Sequence, residues 1–336
     1  MSSSSFPTSP SNRVDPALPL SELFRQYWQN ECPFHLLASW LSRHGPLLHR
    51  DFSFRSIHKP DLVHRFEHFE SGDALQSYAL QTIPTRIDIG GIYNSPPMSE
   101  WKREQEQQQG GPVGGGLPPL FIVARELVFD VDVSDYFPLN GTVQRTCCAD
   151  NKGVCRRCWV LLACAAELLR HLLTEQLGLQ HLMFVFSGKK GIHVWVLDEE
   201  THLWSEAQRK TIVQWIETYD FEKDAAADKL LASYAQKLEQ DSAWLSRPLS
   251  LEERKALLRL RIDKNVTQQV KHPLKLPFSI HPDTLKPTLV YPFQELLTLN
   301  PEAVPTLHDL GTDAFNKGMT QSIVWAESVL EQSKSN

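Results

Sequence analysis

The chain has 336 residues, 41% hydrophobic and 22% charged, which fits a globular protein of one large or two modest domains and excludes a low-complexity class. No run of about eighteen apolar residues occurs, so no membrane-spanning helix is expected. A net charge of −6 does not favour a polyanion binder, so any grip on phosphates must come from local basic clusters.

The opening MSSSSFPTSPSN lacks the charged-then-apolar pattern of a secretory signal and reads as a disordered tail over residues 1–17. From Leu18 to about Ser56 the pattern is helical, with LSELFRQYWQNE and PFHLLASWLSRHG as amphipathic helices. Residues 98–119, rich in Gln, Gly and Pro, read as a flexible surface insertion between strands. RELVFDVDVSDY predicts a strand. Trp159–Leu177 predicts a helix stopped at Gly178. HLMFVFSG and IHVWVLD predict two strands around the turn SGKKG. This order predicts a mixed α/β fold. Its catalytic core would span 18–199 and 259–330, ending in a C-terminal helix. Residues 200–258 would form a small helical subdomain inserted in that core. A capping box of Ser250 and Glu253 opens LEERKALLRL there. RIDKNV then predicts a returning strand, and HPLKLPFSIHP a proline-punctuated loop. No internal repeat is visible.

Four constellations carry chemistry. In Glu126-Leu-Val-Phe-Asp130-Val-Asp132, strand alternation puts Leu127, Phe129 and Val131 on one face and Val128, Asp130 and Asp132 on the other. Two carboxylates about 7 Å apart along a strand can converge on hard divalent ions; a solvated polar face is the plainer alternative. Asp135 falls on the other parity and is given no metal role. Cys147, Cys148, Cys155 and Cys158 offer four soft ligands, the number of a closed structural zinc site. An iron–sulfur cluster or unliganded thiols are the alternatives. Cys32 and Cys164 read as small buried hydrophobes. Ser187-Gly-Lys189-Lys190-Gly-Ile-His193 is a possible phosphate cradle or a solvated hairpin turn. Arg261-Ile-Asp263 and the Lys275–His281 loop read alone as polar loop, with Asp263 a candidate helix cap.

Taken together and in order, these pieces resemble the small subunit of eukaryotic and archaeal DNA primase. That family shows an aspartate pair in E-L-V-F-D-x-D, a CC…CxxC cluster, S-G-x-x-G-x-H, a third aspartate in R-x-D-x-x-V and a K-x-P-F-S-x-H-P loop. RIDIGGIY at Arg86–Tyr93 and HRDFSF at His49–Phe54 also look like family segments. The resemblance runs from about residue 20 to 295. It implies a mixed-sheet primase core with a structural zinc motif, and two Mg²⁺ or Mn²⁺ ions held by Asp130, Asp132 and Asp263. It implies a nucleotide site of Arg50, Asp88, Ser187, Lys189, Lys190, His193, Lys275 and His281, with Zn²⁺ on the four cysteines. The implied activity is synthesis of short RNA primers from ribonucleoside triphosphates on single-stranded DNA. The implied partners are an iron–sulfur large subunit and the DNA polymerase alpha complex, and the implied location is the nucleus. A repair or damage-tolerance primase-polymerase of the same superfamily is the alternative enzyme. A non-catalytic zinc scaffold is the alternative from another class. Lys189-Lys190 departs from the Arg-Arg usual in eukaryotic members, which keeps charge but loses the planar fork.

Overall fold

The computed structural model describes residues 18–59, 61–99, 102, 118–148 and 153–334. The tail at 1–17 and most of the insertion at 98–119 lie outside these residues. Helices Leu20–Asn30 (α1) and Phe34–Leu41 (α2) stand where the apolar spacing puts them. On α1, Leu23, Phe24, Tyr27 and Trp28 form the buried stripe. The helical reading fails beyond them, because Arg50–Ser56 is a strand, β1. Phe52 and Phe54, two apart, bury on one face of it with ring centroids 6.4 Å apart.

Two sheets build the molecule, and every strand pair is antiparallel. In the first, β1 lies between Val63–Glu67 (β2) and Pro84–Tyr93 (β3), and Ile122–Ala124 (β4) borders β3. The second contains Leu127–Asp132 (β5), Leu182–Phe186 (β6) and Gly191–Val196 (β7). Near the end of the chain, Leu274–Lys275 (β8) returns to pair with β3, placing Lys275 opposite Asp88. Leu289–Tyr291 (β9) completes the second sheet in the order β5-β7-β6-β9. The α/β organisation is therefore as expected.

Between the outer elements runs Gly72–Thr82 (α3), followed in sequence by the core helix Trp159–His171 (α4). Helix α4 buries residues all round, including Leu161, Leu162, Ala165, Leu168 and Leu169. Its last turn widens into a π-turn at Leu172–Gln176, and Gly178 follows with φ +74°, the left-handed stop expected of a glycine. Helices Glu206–Thr218 (α5), Ala225–Gln240 (α6) and Leu251–Leu258 (α7) follow. The capping box of Ser250 and Glu253 is present. Cys32 and Cys164 are buried, as expected.

RIDKNV is not the returning strand that its sequence predicts. Asp263 instead caps a short helix, Lys264–Gln268 (α8), accepting from the Asn265 N–H at 2.9 Å. The reason lies on β5, whose far edge is open. Three side- and main-chain donors close it in place of a strand. Arg209 Nη1 donates to the Glu126 carbonyl (3.1 Å), Thr267 Oγ1 to Val128 (2.9 Å), and the Asp263 N–H to Asp130 (2.9 Å). The short helix Phe293–Leu297 (α9) and the long C-terminal helix Asp313–Gln332 (α10) finish the fold.

One ion pair ties the sheets together. Arg50 of β1 and Glu126, just before β5, meet through two 2.8 Å bonds, and both side chains are at most 2% exposed. Arg50 also donates to the carbonyls of Gly90 and Leu41 at 3.1 Å each. Burial pushes the Glu126 carboxyl up, but the Arg50 charge and bonds outweigh it and hold the group at about 2. Glu126→Ala should cost about 3–5 kcal/mol, since it leaves a buried guanidinium uncompensated. The pair's contribution is full above the ordinary carboxylate value of 4.5 and is lost as pH falls towards 2. Denaturant titrations across pH check both points; equal stability of variant and wild type at pH 7 would rule the clamp out.

Candidate functional site

On β5 the side chains of Leu127, Val128, Phe129 and Val131 are buried, and only Asp130 and Asp132 reach towards solvent. The chain bend at α8 brings the third carboxylate alongside, through the Asp263 N–H bond to the Asp130 carbonyl. The three negative charges feel each other. Burial first, then Asp132 and Asp263, push the Asp130 carboxyl up to about 7. Asp132 is oriented by Ser134, whose N–H and hydroxyl both donate to Oδ1 at 2.7 and 2.6 Å. Strand alternation ends at Asp132, where a 3₁₀ turn over Val133–Tyr136 begins. Parity therefore does not decide where Asp135 points, and burial with Asp132 and Asp263 raises its carboxyl too.

Basic side chains face this acidic ridge from the neighbouring strand and the turn before it. His193 of β7 lies directly across from Asp130, with Nε2 3.8 Å from Oδ1. Burial, then Lys275 and Arg86, hold His193 well below the ordinary histidine value, so it is neutral. The Lys190 ammonium donates to Ser134 Oγ at 3.0 Å and sits 3.5 Å from Asp132. The turn itself is closed by Ser187, whose N–H donates to the Gly191 carbonyl at 3.0 Å and whose hydroxyl oxygen accepts from the Gly191 N–H at 3.0 Å. Gly188 has φ +86°, and a Cβ there would lie 3.0 Å from His281 and from the Lys286 carbonyl, so only glycine fits.

The loop after β8 completes the ring. Lys275 is 4% exposed and donates to the Ser187 carbonyl at 2.7 Å. Burial, then Arg86, lower its ammonium to about 7. Ser279 accepts from the Ile87 N–H at 2.8 Å, and Tyr27 donates to the Phe278 carbonyl at 2.6 Å. These bonds fix the loop against β3, beside Asp88, which Arg86 pairs at 2.6 Å. His281 accepts the Asp283 N–H at Nδ1 (3.2 Å), so its proton rides on Nε2. Burial, then Lys275, push its pKa down to about 3. Asp88, Ser187, Lys190, His193, Lys275 and His281 thus gather around Asp130, Asp132 and Asp263.

Arg50 does not join them. Its guanidinium is wholly buried in the clamp with Glu126, with no exposed face for a ligand. Arg86 and Arg65 are cations that sequence reasoning passed over. Arg86 lies inside the quoted RIDIGGIY segment, but Arg65 has no motif to mark it. Arg65 pairs with the buried Asp51 at 3.1 Å while its own side chain is 38% exposed.

The four thiols form a separate site. Among the described residues, Cys147, Cys148, Cys155 and Cys158 are the group of three or more potential ligands whose donor atoms all lie within 4.8 Å of one another. Measured Sγ–Sγ distances are 3.1, 3.6 and 3.8 Å. Four sulfurs about 2.3 Å from one tetrahedral zinc would be about 3.8 Å apart. None is in a disulfide, so the set fits zinc.

Residues 129–291 match the family model described as DNA primase small subunit. The DNA primase small subunit of Schizosaccharomyces pombe is 29% identical over 59% of this chain and 40% of its own length. That of Drosophila melanogaster is 28% identical over 87% of this chain and 81% of its own. The chain thus spans less than half of the fission yeast relative but most of the fly one. Among solved structures, the polymerase domain of Mycobacterium tuberculosis ligase D in complex with DNA aligns over 90% of this chain and 92% of that one. Its identity is 15% and its TM-score 0.42. The matched residues include Asp130, Asp132 and Asp263, the four cysteines, the basic turn and the loop bearing Lys275 and His281. Over residues 129–291 the chain is similar to the DNA primase small-subunit family.

Proposed function

We propose that this chain is a primase catalytic subunit, making short RNA primers de novo on single-stranded DNA by two-metal nucleotidyl transfer. The observation that carries the reading is the convergence of Asp263 on Asp130 and Asp132, directly facing a ring of cationic and neutral donors. The carboxylates fit a pair of divalent ions, Mg²⁺ or Mn²⁺, because Asp132 and Asp263 both raise the Asp130 carboxyl and a cation among them would relieve that repulsion. Bound there, such ions activate a 3′-hydroxyl and stabilise the leaving pyrophosphate.

The protein's own groups bind and orient the nucleotide. Lys190, Lys275 and Lys189 supply positive charge to the triphosphate. His193 and His281 stay neutral and give directional hydrogen bonds, His281 from Nε2. A bound polyanion would favour the charged form of Lys275, which burial weakens. Ser187 holds the turn in shape, and Asp88 faces the ribose side through its pairing with Lys275 on the adjacent strand. Arg65 and Arg86, rather than Arg50, extend the cationic rim. Zinc on the four cysteines would be structural, since a site filled by four thiolates has no open position. A small subunit implies a large-subunit partner; an iron–sulfur large subunit, polymerase alpha and a nuclear location are part of this proposal. Among the described residues no helix is long and apolar enough to cross a membrane.

Asp132→Asn should abolish primer synthesis with the fold intact, because an amide is a poor ligand for a hard cation; wild-type extension rates on a single-stranded template would sink the two-metal assignment. Lys190→Ala should raise the apparent KM for nucleotides about tenfold or more, the scale of a charge-assisted bond, with template binding little changed. Looser template binding with unchanged nucleotide KM would make the turn a template contact. Metal analysis should find one zinc per chain. Cys155→Ser should lower thermal stability more than the turnover of the folded fraction, and protein purified without zinc would refute the structural site.

A further inference from the structure

The two lysines of the basic turn face different ways. Lys190 points to Ser134 and the acidic ridge. Lys189 points away from it, to Asp283 on the loop that carries His281, with Nζ 2.5 Å from Oδ2. Lys189 is largely covered in this pair, at 16% exposure, while Asp283 is 60% exposed. The same loop is fastened to the turn a second time, by the Thr284 hydroxyl donating to the Gly188 carbonyl at 2.7 Å.

Asp283 is the anion that three of the candidate nucleotide ligands share. Its charge acts on Lys275 and on His281 as well as on Lys189. In return the Lys189 ammonium bonded to it favours its ionised form. Its carboxylate oxygen takes the Lys189 ammonium, a donor that a phosphate oxygen could also take. Its exposure leaves it free to swing out, because its side chain accepts from no other described group.

We propose that Asp283 is an internal phosphate mimic, which pairs with Lys189 until the incoming triphosphate displaces it. It thereby sets nucleotide affinity. The inference rests on the reading of this site as a nucleotide site. Two things follow from competition between the carboxylate and the phosphate. Removing the carboxylate's charge frees Lys189 and tightens nucleotide binding. The gain requires Lys189, so it vanishes when that lysine is absent.

The test is equilibrium titration of the full chain with a fluorescent ribonucleoside triphosphate in Mg²⁺, for the wild type, Asp283→Asn, Lys189→Ala and the double variant. Asp283→Asn keeps the size and polarity of an exposed side chain, and circular dichroism checks its fold. It should bind about two- to fivefold tighter, the scale of an exposed ion pair. In the Lys189→Ala background the same change should have no effect. Asp283→Glu, which keeps the charge, should bind like the wild type. Unchanged or weaker binding by Asp283→Asn would overturn the proposal, as would a gain that persists without Lys189. A wild type that binds no nucleotide at all would instead refute the functional reading.

Discussion

A strand with an open edge must satisfy the carbonyls along it, and β5 is such a strand. The carbonyls of Glu126, Val128 and Asp130 point off its free side and are met by Arg209, Thr267 and the Asp263 N–H. The donors come from two stretches of chain, Arg209 from one and Asp263 with Thr267 from the other. Together they tie helix α5, helix α8 and the bend before α8 to the strand that carries the aspartates. A regular strand in place of the bend would satisfy the same carbonyls but would alternate its side chains and need more length. The short capped helix lets Asp263 stop beside Asp130. Closing the edge and assembling the three carboxylates are therefore one structural event.

The opposite edge of β5 is equally constrained. It pairs with β7 in a register that sets His193 across from Asp130 and Gly191 across from Asp132. A Cβ at Gly191 would lie 2.5 Å from the Val131 carbonyl, so the turn that precedes it can approach β5 only as glycine. At the base of the strand, the Arg50–Glu126 clamp fixes β5 relative to the first sheet, which supplies Asp88 and, through β8, Lys275. The acidic ridge and the cationic loop thus sit on two sheets whose relation depends on a buried ion pair. Such a pair is poor evidence for net stability, but losing either partner alone is costly.

The thiol cluster connects to this machinery through the chain that follows the loop. The Arg156 N–H, next to Cys155, donates to Glu302 at 3.2 Å. Lys286 donates to the neighbouring Pro301 carbonyl at 2.5 Å, and the Lys286 carbonyl accepts from His281. A metal that stiffens the Cys155–Cys158 turn would therefore also steady the segment behind His281. In this arrangement a structural ion lies one relay of hydrogen bonds from the site where chemistry is proposed.

Sequence alone determined the amphipathic helices, the β6–β7 hairpin, the α4 stop at Gly178 and the cysteine grouping, because each rests on local periodicity, capping or spacing. The ordered motifs also named most of the residues that gather at the site. Tertiary structure decided what local pattern could not. RIDKNV has strand-like residues, but a demand for donors along β5 turned it into a capped helix. Arg50 sits in a recognisable segment, but only the packing of two sheets makes it a partner of Glu126 rather than of a ligand. Lys189 and Lys190 are adjacent and chemically alike. Only the placement of Asp283 and Ser134, 94 and 56 residues away in the chain, gives them different partners, because charge finds its counterion in space and not in sequence.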